Sequence, residues 1–323
     1  MARAARKIAT AAAFGGGGLT ALGATAYGLL IAEGLLARKA IGRPHGLDGP
    51  HSDGVYGAHF PGEPIRMAML GDSTSVGLGM TDPARTPAVL LANGLAAVAD
   101  RPVELKVVGK SGAPSAELAE QVDAALPMSP DLAVIFVGGP TTSSRRRRPP
   151  QPYAIWSRPC GGCVTRGAEV VVGTCPDLGT VRPIAQPLRW VTRRWSRQLA
   201  AAQTVAVVDA GGRTVAFADV LGPEFATNPT EMFGPDRFHP SDRGYAQAAY
   251  AVLPSVCAAL GLWPEPRPAR GEALQPIYLA AATAAEEPGT EVSATRVDGR
   301  ATGLHGKWAT LFRRRLGEAV NDT

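Results

Sequence analysis

The sequence predicts an α/β fold built on a parallel sheet with helices on both faces. Two observations lead there. From Ile65 onward, short Val/Ile/Leu-rich runs alternate with longer segments of helical pattern. The short runs are largely apolar end to end, as in strands covered on both faces, where a half-exposed strand would alternate. Parallel neighbours need crossover connections, and these lay helices on the sheet.

The elements follow in order. Strands are expected at residues 66–70, 103–108, 132–137, 169–173 and 204–208, and helices at 87–98, 115–125, 187–202 and 245–260. Residues 38–64, rich in Gly, Pro and His, read as a linker ahead of a domain at 65–263. Pro264, Pro266 and Pro268 mark its end. Residues 264–323 are expected to be largely disordered, because 270–300 show no period and are rich in Ala, Glu, Thr and Gly. Their last part, Lys307 to Phe312 followed by three arginines, reads as a basic tail or a segment lying on an anionic membrane.

The N-terminus carries a membrane signal. Arg3, Arg6 and Lys7 precede a charge-free run at 8–32. As a helix it would be about 37 Å long, enough to cross a bilayer. Ala24-Thr25-Ala26 has the small-x-small pattern of a signal-peptide cleavage site. The run continues past it through Leu29, Leu30 and Ile31, which favours an uncleaved anchor within 1–37. Either reading exports the domain. Arg38, Lys39 and Arg43 behind the run leave a cytoplasmic orientation open as well.

Composition narrows the classes. Of 323 residues, 45% are hydrophobic, enough for a sizeable core, and the net charge is +5. Arg145–Arg148 and Arg313–Arg315 form two basic blocks, but there is no zinc-finger spacing and no basic surface interleaved with aromatics, so nucleic acid is not an expected partner. Cys160-Gly161-Gly162-Cys163 is a single CxxC, and without a second pair it argues weakly for metal. Neither a metal nor a cofactor is expected. Cys175 and Cys257 are open to pairing in an oxidising compartment, and the oligomeric state stays open too.

Two motifs carry chemistry. Gly71-Asp72-Ser73-Thr74 follows the first predicted strand, so Ser73 falls at a strand's carboxyl end, where open α/β sheets bind ligands. Far downstream, Asp236-Arg237-Phe238-His239 sets an acid three residues before a base. Alone, the first motif is commonly a turn and the second a solvated pair. In this order they supply a nucleophile, a proton acceptor and an orienting carboxylate.

These residues resemble the SGNH/GDSL hydrolases, a family of serine esterases and lipases, over roughly 60–262. Gly71-Asp72-Ser73 matches the nucleophile block and Asp236-Arg237-Phe238-His239-Pro240 the last block. Lys110-Ser111-Gly112-Ala113 looks like the block that carries the oxyanion glycine, with Gly112 in that place, and Gly173-Thr174-Cys175-Pro176-Asp177 like a strand-end loop of actinobacterial-type members. The resemblance implies a flavodoxin-like three-layer α/β/α sandwich with a five-stranded parallel sheet. It implies hydrolysis of carboxylic esters through an acyl-enzyme on Ser73, with His239 as base, Asp236 orienting it, and the N–H groups of Ser73 and Gly112 holding the oxyanion. Small acyl esters, or acyl groups on envelope lipids or glycans, are the implied substrates.

One block departs from the family. Where Gly-x-Asn-Asp is expected, the chain reads Gly138-Gly139-Pro140-Thr141, and proline offers neither a side-chain amide nor a backbone N–H. Residues 141–166 also show no helical period where a crossover helix belongs. Back-translated as CCA-ACG-ACG-TCN and shifted by one base, so that the codons are AAC-GAC-GTC starting from the third base, Pro140 to Ser143 become Asn-Asp-Val. The same shift turns a G/C-rich back-translation of 153–166 into RDLVAAVRRLRDA, a helical pattern. A compensated frameshift over about 140–166 is therefore expected. If the chain is as written, the alternative is a catalytically impaired relative or a membrane-tethered binding module.

Overall fold

The computed structural model describes residues 25, 27–41, 49–138, 152–263, 274–286, 290–304 and 306–313. Residues 27–40 form helix α1. Then follow β1 (Gly54–Tyr56), β2 (Ile65–Gly71), α2 (Pro87–Ala99), β3 (Val103–Val107), α3 (Leu118–Ala125), β4 (Leu132–Phe136), α4 (Pro152–Val164), β5 (Glu169–Gly173), α5 (Leu188–Asp209) and β6 (Arg213–Val215). Three short helices, α6 (Phe217–Val220), α7 (Gly222–Thr227) and α8 (Pro229–Met232), lead to α9 (Asp242–Ala259). The chain closes with β7 (Leu274–Pro276), α10 (Ile277–Glu286), β8 (Thr290–Thr295), β9 (Thr302–Gly303) and β10 (Gly306–Arg313).

The strands make one mixed sheet in the order β1-β3-β2-β4-β5-β6-β8-β10-β7, with β9 paired to β10. Its centre, β3-β2-β4-β5-β6, is parallel throughout. Side-chain alternation splits the core into two layers. Met67, Met69, Val134, Phe136 and Val171 point towards α2 and α9, while Ala68, Leu70, Ile135, Val170 and Val172 meet the layer of α3, α4 and α5. The α/β/α sandwich with a five-stranded parallel core is present, but the sheet is larger than expected: ten strands, with antiparallel additions at both edges.

Local chemistry sets the helix starts. The Thr86 hydroxyl accepts the Val89 N–H, and Pro87 occupies the first turn of α2, where a missing N–H costs nothing. The Ser241 hydroxyl accepts the Gly244 N–H and caps α9, which begins three residues after His239.

Four expectations need correction. Residues 204–208 lie inside α5, and the fifth parallel strand is β6. Thr204-Val205-Ala206-Val207-Val208 reads like a strand because this end of α5 is covered on two sides. Ala206 and Val207 pack on the sheet, and Val205 and Val208 pack in a cluster with Ala280 and Ala284 of α10. A helix apolar all round cannot be told from a buried strand by periodicity.

The segment 264–323 is not largely disordered. Its described residues add β8, β10 and β7 to the sheet edge, and α10 packs on α5 through Ala280, Ala281 and Ala284. Alanine contributes little to an apolar pattern, yet a small-residue face lets two helices approach closely. Lys307–Phe312 is strand, and the Lys307 ammonium lies 2.8 Å from the Asp209 carboxylate.

Residues 152–164 are a helix as written. Trp156, Cys160 and Cys163 recur at i, i+4 and i+7 and are buried against the sheet, although Pro159 lies within the helix. Two of those core positions are cysteines, which a reading tuned to Leu and Ile passes over. All four cysteines, Cys175 and Cys257 included, are buried and none forms a disulfide. The linker, finally, holds structure: α1 reaches residue 40, and β1 pairs with β3.

Residues 1–24, 139–151 and 314–323 fall outside the described residues. So do most of the predicted anchor, Pro140 and the four-arginine block. Among the described residues, no helix is long and apolar enough to cross a membrane.

Candidate active site

The site lies at the carboxyl ends of β2, β3, β4 and β5. β2 ends in Gly71, whose φ of 135° and tight surroundings exclude a side chain: a Cβ there would stand 1.8 Å from the Phe136 carbonyl oxygen. The chain then turns through Asp72 and Ser73. The Asp72 carboxylate is buried and accepts the Thr74 N–H at 2.9 Å and the Gly138 N–H at 2.8 Å. It thereby ties the Ser73 turn to the loop leaving β4.

The second motif folds on its own acid. Asp236 Oδ1 accepts the N–H groups of Phe238 and His239, both at 3.0 Å. Its Oδ2 lies 2.6 Å from His239 Nδ1. Arg237, between them, takes a φ of 60°, and the Gly234 N–H bonds to the His239 carbonyl at 2.8 Å. The resulting tight loop points His239 Nε2 at Ser73 Oγ, 3.1 Å away across 166 positions of sequence. Ser73, Asp236 and His239, picked from two distant motifs, therefore stand together. Burial works to raise the pKa of Asp236. The His239 hydrogen bond and the two backbone N–H groups outweigh it and hold the carboxyl below the usual aspartate range. The carboxylate thus keeps its charge beside the imidazole.

Gly112 sits at the third position of the turn Lys110–Ala113, closed by the Ala113 N–H to the Lys110 carbonyl at 3.1 Å. Its φ of 74° is the left-handed value that such a turn assigns to glycine. The loop is held against the Ser73 turn, because the Lys110 N–H bonds to the Gly71 carbonyl at 3.1 Å. Among the described residues, no group accepts a hydrogen bond from the N–H of Ser73 or of Gly112.

A cavity of about 130 Å³ opens beside Ser73 and His239. Five of the chain's eight phenylalanines line it: Phe136, Phe217, Phe225, Phe233 and Phe238. In a chain this poor in aromatics, their convergence marks a binding pocket for apolar groups. Phe136 and Phe217 meet edge to face at 4.9 Å, as do Phe225 and Phe233 at 4.7 Å.

Four supporting residues escaped the sequence reading. The Gln121 amide takes the Gly71 N–H at 2.7 Å and gives a hydrogen bond to the Gly71 carbonyl at 2.9 Å. The Gln203 amide accepts the Cys175 N–H at 2.7 Å and donates to the Val137 carbonyl at 3.2 Å, joining the loops after β4 and β5. The Tyr245 hydroxyl donates to the Leu78 carbonyl at 2.8 Å, pinning α9 to the nucleophile loop. Asp72 lies within the Gly71–Thr74 motif, but the sequence pattern assigns its carboxylate no role. The glutamines did leave a signal. Gln121 sits on the stripe of Leu118, Val122 and Ala125, and Gln203 on that of Ala200 and Val207. A polar side chain on a core stripe needs a partner.

The CxxC lies within the core. Cys160 and Cys163 are packed in the core, where burial pushes the Cys160 thiol up strongly and that of Cys163 to about 11. Among the described residues, no cluster of His, Cys, Asp and Glu is arranged to hold a metal.

A parallel α/β core carrying a serine at one strand end and a histidine above it defines the class of α/β hydrolytic enzymes. The profile of the GDSL-like lipase/acylhydrolase family matches residues 69–247, more than half of the chain, and the chain belongs to that family. It is a carboxylic ester hydrolase. The chain is 37% identical over 271 residues to GDSL-like esterase Rv1075c of Mycobacterium tuberculosis (strain ATCC 25618 / H37Rv), covering 78% of this chain and 83% of that protein. Among solved structures it is similar to TesA at 19% identity, with a TM-score of 0.45 over 60% of this chain and 99% of that one. A lipase/acylhydrolase from Enterococcus faecalis is 17% identical, with a TM-score of 0.42 over 62% of this chain and 99% of the other.

Proposed function

We propose that this ester hydrolase works through Ser73, His239 and Asp236 by way of an acyl-enzyme. The observation that carries the reading is His239, with Asp236 at 2.6 Å on one ring nitrogen and Ser73 at 3.1 Å on the other. As Ser73 Oγ attacks the ester carbonyl, His239 Nε2 takes its proton. The tetrahedral oxyanion is held by the N–H groups of Ser73 and Gly112. On collapse, the alcohol leaves with the proton from His239, and the acyl group stays on Ser73. Water, deprotonated by His239, then attacks the acyl-enzyme and frees the acid. Asp236 keeps the ring oriented and balances its charge.

The cavity favours an apolar acyl group, supplied by an acylated lipid or glycan of the cell envelope. An exported domain, held by residues 8–32 or released after Ala26, fits such a substrate, and the charge-free run is its support. The frame reading of 140–166 stands beside this proposal, and sequencing the DNA across codons 135–170 decides it.

A fluorophosphonate probe tests the chemistry. The chain should become covalently labelled on Ser73, with labelling lost in Ser73→Ala and unchanged in Cys175→Ala. A folded chain that takes no label, or keeps it after Ser73→Ala, overturns the mechanism. N-terminal sequencing of the cell-associated protein tests the anchor, since a start at Tyr27 means release.

A further inference from the structure

We propose that the solvent face of α1, together with the outer face of the first two turns of α5, is a docking surface for an anionic lipid bilayer. α1 is apolar on nearly every side. Leu30, Gly34 and Ala37 face the protein, and so does Glu33, whose carboxylate accepts the Leu188 N–H at 2.8 Å. The opposite side carries Tyr27, Leu29, Ile31, Leu35 and Leu36, which are 48–67% exposed. A helix resting on a globular domain normally turns charge towards water there, and one that is apolar all round is normally covered.

α5 extends the surface. Its N-terminus abuts the middle of α1, where Leu188 stands beside Gly34. Trp195 lies seven residues on from Leu188, on the same side of the helix. Trp190 and Trp195 are 60% and 58% exposed. Large exposed aromatics with cations beside them are the composition of a membrane–water interface.

The charge selects the partner. Arg38 and Lys39 close the exposed side of α1, and the exposed Arg194 lies between Trp190 and Trp195 on the outer side of α5, while Arg189 is half-buried. Among the described residues, no acid pairs with Arg189 or Arg194, whereas Arg193 and Arg197 are engaged by Asp177. Residues 186–208 contain no acid, and residues 27–40 contain only the inward Glu33. Directly ahead of Tyr27, residues 8–26 carry no charge. An apolar face ringed by cations and preceded by an apolar run suits anionic headgroups over acyl chains.

The surface adjoins the active site. The Arg237 guanidinium, in the Asp236–His239 loop, donates to the Ala40 carbonyl at the end of α1 at 2.5 Å. Ala37 shares a core cluster with Val181 and Phe225 of the cavity wall. Docking through this face sets the cavity beside the bilayer. The face persists even if cleavage after Ala26 removes the leading segment.

Brominated lipids test this, because they quench only tryptophans in contact with acyl chains. The full chain is mixed with vesicles of brominated phosphatidylglycerol and phosphatidylcholine, and with brominated phosphatidylcholine alone. Emission should be quenched on the anionic vesicles and less on the zwitterionic ones. Trp190→Phe/Trp195→Phe should lose about half or more of the quenching, as expected if these two rings meet the lipid. The doubly substituted chain should keep its melting temperature and its turnover of a short soluble ester. Equal quenching in parent and variant, or on both vesicle types, overturns the proposal. So does a dimer in sedimentation that shields both tryptophans with no quenching, which would make a second copy the occupant.

Discussion

Gln121 grips Gly71 by both ends of its amide, accepting from the Gly71 N–H and donating to its carbonyl. A helix side chain thus completes the last strand position before the nucleophile turn, where β2 needs both a glycine and a sharp change of direction. Gln121→Leu keeps the size but strands the buried Gly71 N–H, at about 1–3 kcal/mol of stability, while the Gly71 carbonyl keeps its bond from the Lys110 N–H. Chemical denaturation should show that loss. Fluorophosphonate labelling of the fraction still folded should also slow, because Ser73 loses its fixed position. Unchanged labelling would reduce Gln121 to a purely structural part.

The Phe-lined cavity makes a prediction about acyl length. Each buried methylene contributes about 0.8 kcal/mol, so kcat/KM should climb from acetyl esters upward and level off once the cavity is full. Leu178→Trp grows into the cavity from its partly exposed rim. The ratio of octanoyl to acetyl turnover should then fall by about tenfold or more, the scale on which a pocket discriminates chain length. A series of p-nitrophenyl esters measures it, and an unchanged ratio would place the acyl chain elsewhere.

Asp131 brings a pH dependence of stability. Its carboxylate pairs with the Arg66 guanidinium at 2.8 Å, and this hydrogen bonding outweighs burial to hold its pKa below the ordinary value. A depressed carboxylate stabilises the fold fully above its unfolded pKa, about 3.9 for an aspartate, and loses that contribution as pH falls through the lower folded value. Both partners are 40% exposed, so the effect is small, about 1 kcal/mol or less. Asp131→Asn should melt slightly lower than the parent at pH 7, and the gap should close below about pH 3. A gap that widens in acid would contradict the assignment.

The C-terminal strands can be probed at one buried pair. Ser255 of α9 donates to the Glu291 carboxylate of β8 at 2.6 Å, and Arg213 of β6 lies 3.5 Å from its other oxygen. Glu291 is almost fully buried, so Ser255→Ala removes a hydrogen bond to a desolvated charge, worth about 1.5–3 kcal/mol. Thermal melts should register it in the main transition. A separate early transition would mean that β8 and β10 fold apart from the parallel core.

The chain itself determined the parallel core and the two motifs that hold Ser73, Asp236 and His239. Apolar runs placed β2, β4 and β5, because strands buried on both faces tolerate little else, whereas β3 alternates, with Val103 and Leu105 buried and Glu104 and Lys106 exposed. Ser73 and His239 were legible because a strand-end serine and an Asp-x-x-His are local patterns whose chemistry is written in side-chain type. The tertiary structure alone decided what depends on neighbours. Residues 204–208 became helix because the sheet and α10 cover that stretch from two sides, and local periodicity has no access to that fact. Residues 290–295 and 306–313 became strands because β6 offered an unpaired edge, which no composition window sees. Trp156, Cys160 and Cys163 became a core face because the sheet supplied the other half of their packing. The grip of Gln121 on Gly71 joins positions 50 residues apart, and its geometry exists only once α3 has packed on β2.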